Sequence, residues 1–484
     1  MQAETTQAGP GWRWASAWVL AFVALWPAPG VAEAVLALGA IVGIAHLLHA
    51  RFRGSIELLS GPAWALTSVL FLAYWLPEAV SAFDASDRLR ALREAAVDLR
   101  YLPFLWVVAS AVADDRGRRR TFAGLALIAA AWTLDALVQA ASGTSPLFWV
   151  IDAAKQAVSG RSMCTPAQVA ALDRLSGVLG PCNLKLGIVL ASLSPFLLAT
   201  AGHRFGRIGW LVAAVLAGLA ILLAGARAAW ITYALVLVWS GWRVLGGKRL
   251  AAVLLLGLVS LAGLAVVSPP VAERLHRSTI ALTGEPQGVD HALSGRTRIW
   301  SAATCMLRAH PFNGVGARGF REAFPACDPA AGRLAAWGEG PALHAHQLVL
   351  EVLSETGLFG LLMWLSGAAM AWRAWRYADA PARDAALALG DDDRRLVHAT
   401  GQHLTDPEVD QHGLAHVQPG LCDQQGPVRL ELVDVALRPL GGVQRLAVAF
   451  NDLCTGEQVA LLGRRPGEVA LHHSRLNAGA QHLH

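Results

Sequence analysis

The 484-residue chain is 55% hydrophobic and only 15% charged, whereas an average soluble domain has about 25% charged residues. This composition excludes an ordinary soluble globule, and the mean hydropathy of +0.43 excludes a disordered or collagen-like chain. The net charge of +5 does not indicate a nucleic-acid partner, because the basic residues form short clusters between apolar runs and not one patch. We therefore expect membrane lipids around the chain and no nucleic acid.

Ten segments are apolar and long enough to cross about 30 Å of hydrocarbon as helices, which pair all their backbone amides internally. They lie near residues 14–28, 31–49, 63–82, 101–114, 121–141, 185–201, 208–226, 228–246, 250–268 and 356–375. The pattern predicts an all-α polytopic membrane protein with about ten or more transmembrane helices. The first run could instead be a cleaved signal peptide, although the second run follows so closely that a retained helical hairpin is favoured.

Basic residues predict the orientation, because cytoplasmic loops next to spans are enriched in Lys and Arg. If the N-terminus is inside, one side of the membrane receives Arg51, Arg53, Arg116, Arg118, Arg119, Arg120, Arg204, Arg207, Arg243, Lys248, Arg249, Arg373 and Arg376. The two long polar stretches, about 142–184 and 269–345, then face the periplasm or the cell exterior.

The chain divides into four parts on this basis. Residues 1–268 are predicted to form a transmembrane bundle with an outer loop near 142–184, and residues 269–355 a large outer loop with interfacial helices that carries the site. Residues 356–376 form the final recognisable transmembrane helix, and residues 377–484 are a polar C-terminal tail of unknown role.

Four cysteines lie in the two outer loops, Cys164 and Cys182 in the first and Cys305 and Cys327 in the second. Each pair could form a disulfide in an oxidising compartment, which would support the predicted orientation. The alternative is four free thiols.

Three arginines are candidates for binding an anion. Arg227 stands between two adjoining apolar runs at the outer face, where it is either an anion clamp or an interfacial side chain that extends to water. Arg296 and Arg298 follow Ser294, a candidate helix N-cap, so that helix amides and guanidinium groups would converge on a site suited to phosphate. Alternatively, these two arginines only solvate a loop helix.

Two histidines are candidates for a general base. His344 and His346 precede apolar residues with helical spacing, which predicts a helix start at the membrane surface. A neutral imidazole can accept a proton from a hydroxyl at ordinary pH, although a structural histidine is the alternative. The spacing of Glu351 and Glu355 does not identify either as the residue that orients His346.

Several segments resemble the O-antigen ligase and polymerase superfamily in their order and spacing. They are SGRTRIW over 294–300, HPFNGVG over 310–316 with Phe320, and HAHQLVLEVLSETGLFG over 344–360. The segment LSGVLGPCN over 175–183 is similar to a Gly- and Asn-containing segment before a central span of that family, and the Gly-Ala-Arg227 span end also matches. The likeness covers roughly residues 14–375.

The resemblance implies a glycosyltransferase of the bacterial inner membrane that takes a glycan from undecaprenyl diphosphate at the periplasmic face. In the ligase the acceptor is lipid A-core, and the reaction inverts the anomeric centre without a metal or other cofactor. Carried over by position, Arg227 and Arg296 would bind the diphosphate, with Arg298 as a second choice. His346 would be the general base, with His344 as its alternative. The outer loops lack the paired Asp motif that Mg²⁺ would prefer.

The acceptor remains open at this point, because an O-antigen polymerase or a protein O-oligosaccharyltransferase would use the same chemistry. Compact outer loops without an obvious peptide-binding domain favour the ligase. A transporter or flippase would predict inverted repeats with broken helices near the midplane, and no such symmetry is visible. Two features depart from the family: Gln347 stands where Asn is usual, and no apolar span follows Tyr377.

Overall fold

Helices connected by short turns make up most of the computed structural model, which describes residues 12, 14–53, 59–170, 174–267, 272–273, 293, 295–332 and 340–378. In chain order the helices are α1 (Ala15–Leu25), α2 (Pro29–Arg53), α3 (Gly61–Ser81), α4 (Arg88–Asp98), α5 (Tyr101–Ala111), α6 (Asp115–Ser142), α7 (Pro146–Ser159), α8 (Pro166–Ala170), α9 (Leu186–Leu223), α10 (Arg227–Leu245), α11 (Gly247–Val267), α12 (Arg296–Ala309), α13 (Phe320–Cys327) and α14 (Leu348–Tyr377). A 3-10 turn spans Gly177–Leu179. These ranges contain no strand.

Seven helices in the described ranges are long and apolar enough to cross a membrane, namely α2, α3, α6, α9, α10, α11 and α14. The described part of the chain is all-helical, as predicted, and its apolar helices are those of a multi-pass membrane protein. The segments predicted as spans 14–28 and 101–114 contain α1 and α5, which have only 11 residues each. The count of ten spans stays a prediction, and the predicted polar tail lies outside the described residues except at its first two positions.

Helix α9 contains two of the predicted spans, 185–201 and 208–226, and its backbone is non-helical at Gly206 (φ 62°, ψ −155°). The chain turns back there, since a Cβ added to Gly187 would lie 3.2 Å from the Cβ of Ala224. In a straight helix those two residues would be about 55 Å apart at a rise of 1.5 Å per residue. Helix α9 is thus a hairpin of two antiparallel segments.

Close helix contacts depend on small residues, as is usual for helices packed in lipid. Helix α1 packs against α2, α5 and α6, while α6 packs against α9 and α9 against α10. A Cβ on Gly124 of α6 would lie 2.4 Å from Leu20 of α1, and one on Gly43 of α2 would lie 2.7 Å from Val107 of α5. Helix α3 packs against α14, which also contacts α12.

A separate apolar core forms where α12 and α13 meet the segment before α14. Its buried residues are Ile299, Ala302, Ala303, Met306, Val315, Phe320, Phe324, Ala342 and Ala345. We call this unit the outer subdomain, comprising residues 295–332 and 340–350. A disulfide between Cys305 and Cys327 joins its two helices, and a second joins Cys164 to Cys182. Both predicted pairs are therefore formed, and the alternative of four free thiols does not hold.

Candidate functional site

The two candidate histidines lie in the last turn before α14. His346 is exposed and has a left-handed backbone (φ 54°), which few residues other than glycine adopt. Its ring contacts that of His344 edge to face, with centroids 3.9 Å apart. Gln347 caps α14, because its side-chain oxygen accepts the backbone N–H of Leu350. The residue that departs from the family pattern therefore has a local structural role.

The residue between the two histidines, Ala345, is hydrogen-bonded to side chains at both its backbone N–H and its carbonyl. Glu351, one turn into α14, accepts the N–H of Ala345, and the indole Nε1 of Trp300 in α12 donates to the carbonyl of Ala345 at 3.1 Å. Ala345 is fully buried. Sequence spacing did not assign Glu351 an orienting role, because spacing does not reveal that the chain before α14 folds back over its first turn.

The HPFNGVG segment fills a break in α14 at Gly357 (φ 67°, ψ −163°). Two carbonyls released by the break, those of residues 354 and 355, accept the N–H groups of Val315 and Gly316 at 2.8 and 3.0 Å. On the other side, the N–H groups of residues 358 and 359 donate to the carbonyls of residues 311 and 312 at 2.9 and 3.2 Å. The loop thus replaces the missing helical hydrogen bonds, which an apolar environment requires.

Arg296 and Arg298 have different surroundings although they lie two positions apart. Arg296 is the exposed first residue of α12, after Gly295 as N-cap (φ 76°), and Ser294, the expected N-cap, lies outside the described residues. Arg298 makes a bidentate ion pair with Asp328, with hydrogen bonds of 2.7 and 2.6 Å, and also donates to the carbonyl of Ala330. This hydrogen-bonded pairing lowers the pKa of Asp328. The arrangement favours a structural role for Arg298.

Three basic residues act electrostatically on His346 when no donor is bound. Desolvation is the largest cause of a pKa of His346 lowered to about 4, and the charges of His344, Arg296 and Lys185 contribute in the same direction. Lys185 is the N-cap position of α9. Sequence analysis missed this lysine, because it lies 161 positions before His346 and no local motif connects them.

Arg227 is the first residue of α10 and is partly buried. Its neighbourhood adjoins the start of α9, since a Cβ on Gly187 would lie 3.4 Å from Ala229 and 3.5 Å from Ala226. The first turns of α9 and α10 therefore lie side by side. The structure thus brings Lys185, Arg296 and both histidines together, and it sets Arg227 beside the helix that Lys185 precedes.

Two ion pairs join the outer subdomain to α4. Nη1 of Arg318 is 3.2 Å from Glu94, and Arg90 forms an ion pair of 2.7 Å with Glu322 of α13. Burial raises the pKa of Asp98 to about 6, although the charge of Arg318 opposes this. No group of three or more His, Cys, Asp or Glu side chains in the described part of the chain is arranged to hold a metal ion.

The fold and the site are those of a multi-pass membrane protein with a cationic, histidine-containing surface beside a broken helix. A family model described as O-Antigen ligase matches residues 212–365, which include Arg227, α12 and the histidine segment. The match supports the O-antigen ligase and polymerase superfamily for this region, and members of the matched family are glycosyltransferase-like membrane enzymes. Neither the comparison with curated proteins nor the one with solved structures gave a match.

Proposed function

We propose that the protein is an O-antigen ligase of the bacterial inner membrane. It would transfer undecaprenyl-diphosphate-linked O-antigen polysaccharide to lipid A-core at the periplasmic face. One observation carries this proposal: an exposed histidine lies within electrostatic range of Arg296 and Lys185, each at the start of a helix. A base beside clustered cations is the arrangement that transfer from a lipid diphosphate requires.

The diphosphate site would form at three helix N-termini. Helices α9, α10 and α12 begin after Lys185, Ala226 and Gly295, and none of these three described N-cap residues makes a side-chain capping hydrogen bond. The positive end of the helix dipole at each of these starts favours an anion. Arg227 and Arg296 add guanidinium groups that can bind phosphate oxygens in pairs, and Lys185 adds a third cation.

In the proposed reaction, the oxygen of an acceptor hydroxyl bonds to the anomeric carbon of the donor sugar. His346 takes the hydroxyl proton, and the bond from the anomeric carbon to the diphosphate oxygen breaks with its electron pair on the leaving undecaprenyl diphosphate. Attack opposite the leaving group inverts the anomeric centre. The cations stabilise the charge that develops on the diphosphate, so we infer that the reaction needs no metal.

Donor binding would also change the pKa of the proposed base, His346. The charges of Arg296 and Lys185 help to keep the pKa of His346 low in the free protein. A bound diphosphate would neutralise those charges, and the pKa of His346 would then rise towards its ordinary value near 6.5. The imidazole would become a stronger base only when the donor is in place.

A reconstituted transfer assay tests the proposal. The purified full chain in lipid nanodiscs, with EDTA, receives undecaprenyl-diphosphate-linked glycan and lipid A-core. We expect core-linked product from the wild type and at least a 100-fold loss for His346→Ala. Arg296→Ala should raise the donor KM and lower kcat, whereas the matched control Arg298→Ala should lower the melting temperature and leave the donor KM unchanged.

Other products would redirect the assignment. If the wild type lengthens the lipid-linked glycan and makes no core-linked product, the acceptor assignment is wrong and the protein is a polymerase. Glycan on a Ser or Thr of an added acceptor protein would indicate a protein O-oligosaccharyltransferase. Uptake or flipping of the lipid-linked glycan that tolerates His346→Ala would indicate a transporter.

A further inference from the structure

The backbone between His344 and His346 is restrained more tightly than a surface turn requires. The N–H and the carbonyl of Ala345 are both hydrogen-bonded to side chains, those of Glu351 and Trp300, from two different helices. Ala345 itself is buried in the core of the outer subdomain. Ala345 has no functional side chain, and yet two hydrogen bonds and its burial fix its position.

His346, which follows this peptide, has a backbone conformation that is unfavourable for a side chain with a Cβ (φ 54°). Such a conformation persists only where the surrounding structure determines it, and it is found most often at functional sites. The two hydrogen bonds to Ala345 provide that determination. Trp300 holds the carbonyl of the peptide between Ala345 and His346, and Glu351 holds the N–H of the preceding peptide.

The Trp300 hydrogen bond also connects two parts of the proposed site. Trp300 follows Arg296 by four positions in α12, so both side chains lie on one face of that helix. One hydrogen bond therefore joins the helix that begins with Arg296 to the turn that carries His346. The separation between the cation and the imidazole depends on it.

We propose that Glu351 and Trp300 are positioning residues for His346, acting through the backbone N–H and the carbonyl of Ala345, and this proposal rests on the proposed function. Glu351 fixes the turn to α14, and Trp300 fixes the same turn to α12. Together they set the imidazole at a constant position relative to the diphosphate site. Neither residue exchanges a proton with substrate. A displacement of about 1 Å at a reacting group can cost 100-fold in rate.

Substitutions of Glu351 and Trp300 distinguish a positioning role from acid–base chemistry and from a general loss of rigidity. Glu351→Gln keeps an oxygen that can accept the Ala345 N–H, Glu351→Ala removes it, and Trp300→Phe keeps a ring but removes the donor. We expect Glu351→Ala and Trp300→Phe to lower kcat by about 10- to 100-fold with less than about 3-fold change in donor KM. Glu351→Gln should stay within about 3-fold of the wild type. Glu322→Ala is the control for a general loss of rigidity in the outer subdomain, because it breaks the ion pair between α13 and Arg90 of α4.

A second measurement follows the chemical reactivity of the His346 imidazole and does not depend on transfer activity. Diethyl pyrocarbonate modifies neutral imidazole, and peptide mass spectrometry follows its rate at His346 at pH 5.5 and pH 7.5. In the wild type the two rates should be nearly equal, because the pKa of His346 is about 4. In Glu351→Ala and Trp300→Phe the imidazole moves away from its neighbours, so the ratio should rise towards about 10, as for a pKa near 6.5.

The outcomes distinguish this inference from the proposed function. If the wild type transfers no glycan but the modification ratio changes as expected, the positioning stands and the proposed function fails. If the wild type is active, His346→Ala is inactive, and Glu351→Ala matches the wild type in kcat and in the ratio, the positioning is wrong. An equal loss in Glu351→Gln and Glu351→Ala would also overturn it, because a proton-transferring carboxylate would then be the better account.

Discussion

At the scale of single residues, the site combines a base in a strained backbone conformation with cationic side chains at the starts of helices. His346 is exposed and yet has a pKa of about 4, because desolvation and nearby cations both disfavour its charged form. Neutral imidazole is therefore the form present over the whole ordinary pH range. The same lowered pKa opposes folding in acid, since the unfolded chain binds a proton near pH 6.5 that the folded chain binds only near pH 4.

The pH dependence of transfer follows from these shifts. In kcat/KM, which reports the free enzyme, the acid limb should lie near pH 4, where His346 protonates. In kcat the limb should lie at higher pH, because the bound diphosphate offsets the cations. Arg296→Ala should move the kcat/KM limb upward, and Arg298→Ala should leave it in place. An acid limb of kcat/KM near pH 6.5 in the wild type would contradict this account.

At the scale of elements, the break in α14 joins the membrane part of the chain to the outer subdomain. Gly357 is required there for two reasons, its φ of 67° and the lack of space, since a Cβ would lie 2.2 Å from the carbonyl oxygen of Phe312. Gly314 meets the same junction from the loop, where a Cβ would lie 2.3 Å from the backbone of Glu355. The HPFNGVG motif is thus explained by backbone hydrogen bonding and not by side-chain chemistry.

Gly357→Ala should lower the melting temperature by roughly 10 °C, because it combines a left-handed alanine with a backbone clash. The matched control is Gly257→Ala in α11, where nothing lies within 4 Å of an added Cβ, and it should leave the melting temperature unchanged or slightly higher. Fluorescence-detected unfolding in detergent measures both. Equal melting temperatures for the two variants would mean that the break in α14 tolerates a side chain.

At the scale of the whole molecule, the positions of the disulfides and of the basic loops indicate the same orientation in the membrane. Both disulfides lie in the stretches predicted to be outside, 142–184 and 269–345, and disulfides persist in an oxidising compartment. The turn at Gly206 within the α9 hairpin is flanked by Arg204 and Arg207, as expected for a cytoplasmic turn. The candidate site, built at the other ends of α9 and α10, would then face the periplasm.

Cysteine labelling can test this orientation. Val158, 90% exposed in α7, and Phe205, 72% exposed beside the α9 turn, are each replaced by cysteine. In intact spheroplasts a membrane-impermeant maleimide should label Val158→Cys, and it should label Phe205→Cys only after permeabilisation. Mass spectrometry assigns the label to its peptide. The reverse pattern would place the candidate site in the cytoplasm.

Much of the architecture could be read from the sequence because it depends on local properties. Apolar runs identify α2, α3, α6, α10 and α11, since a helix in lipid needs only length and hydropathy. Both disulfide pairs were also predicted correctly. The roles of the candidate arginines and histidines stay predictions. The two spans predicted over 185–201 and 208–226 lie on either side of the break at Gly206 in α9.

What only the tertiary structure decided concerns residues that lie far apart in the chain. Sequence alone established a polytopic helical membrane protein with conspicuous Arg and His residues, because hydropathy and charge act locally along each span. It could not show that Lys185 lies near His346, that Arg298 is ion-paired with Asp328, or that Glu351 and Trp300 both bind the backbone of Ala345. Those contacts exist because separate helices pack together, and the packing depends on side-chain shape across the whole bundle.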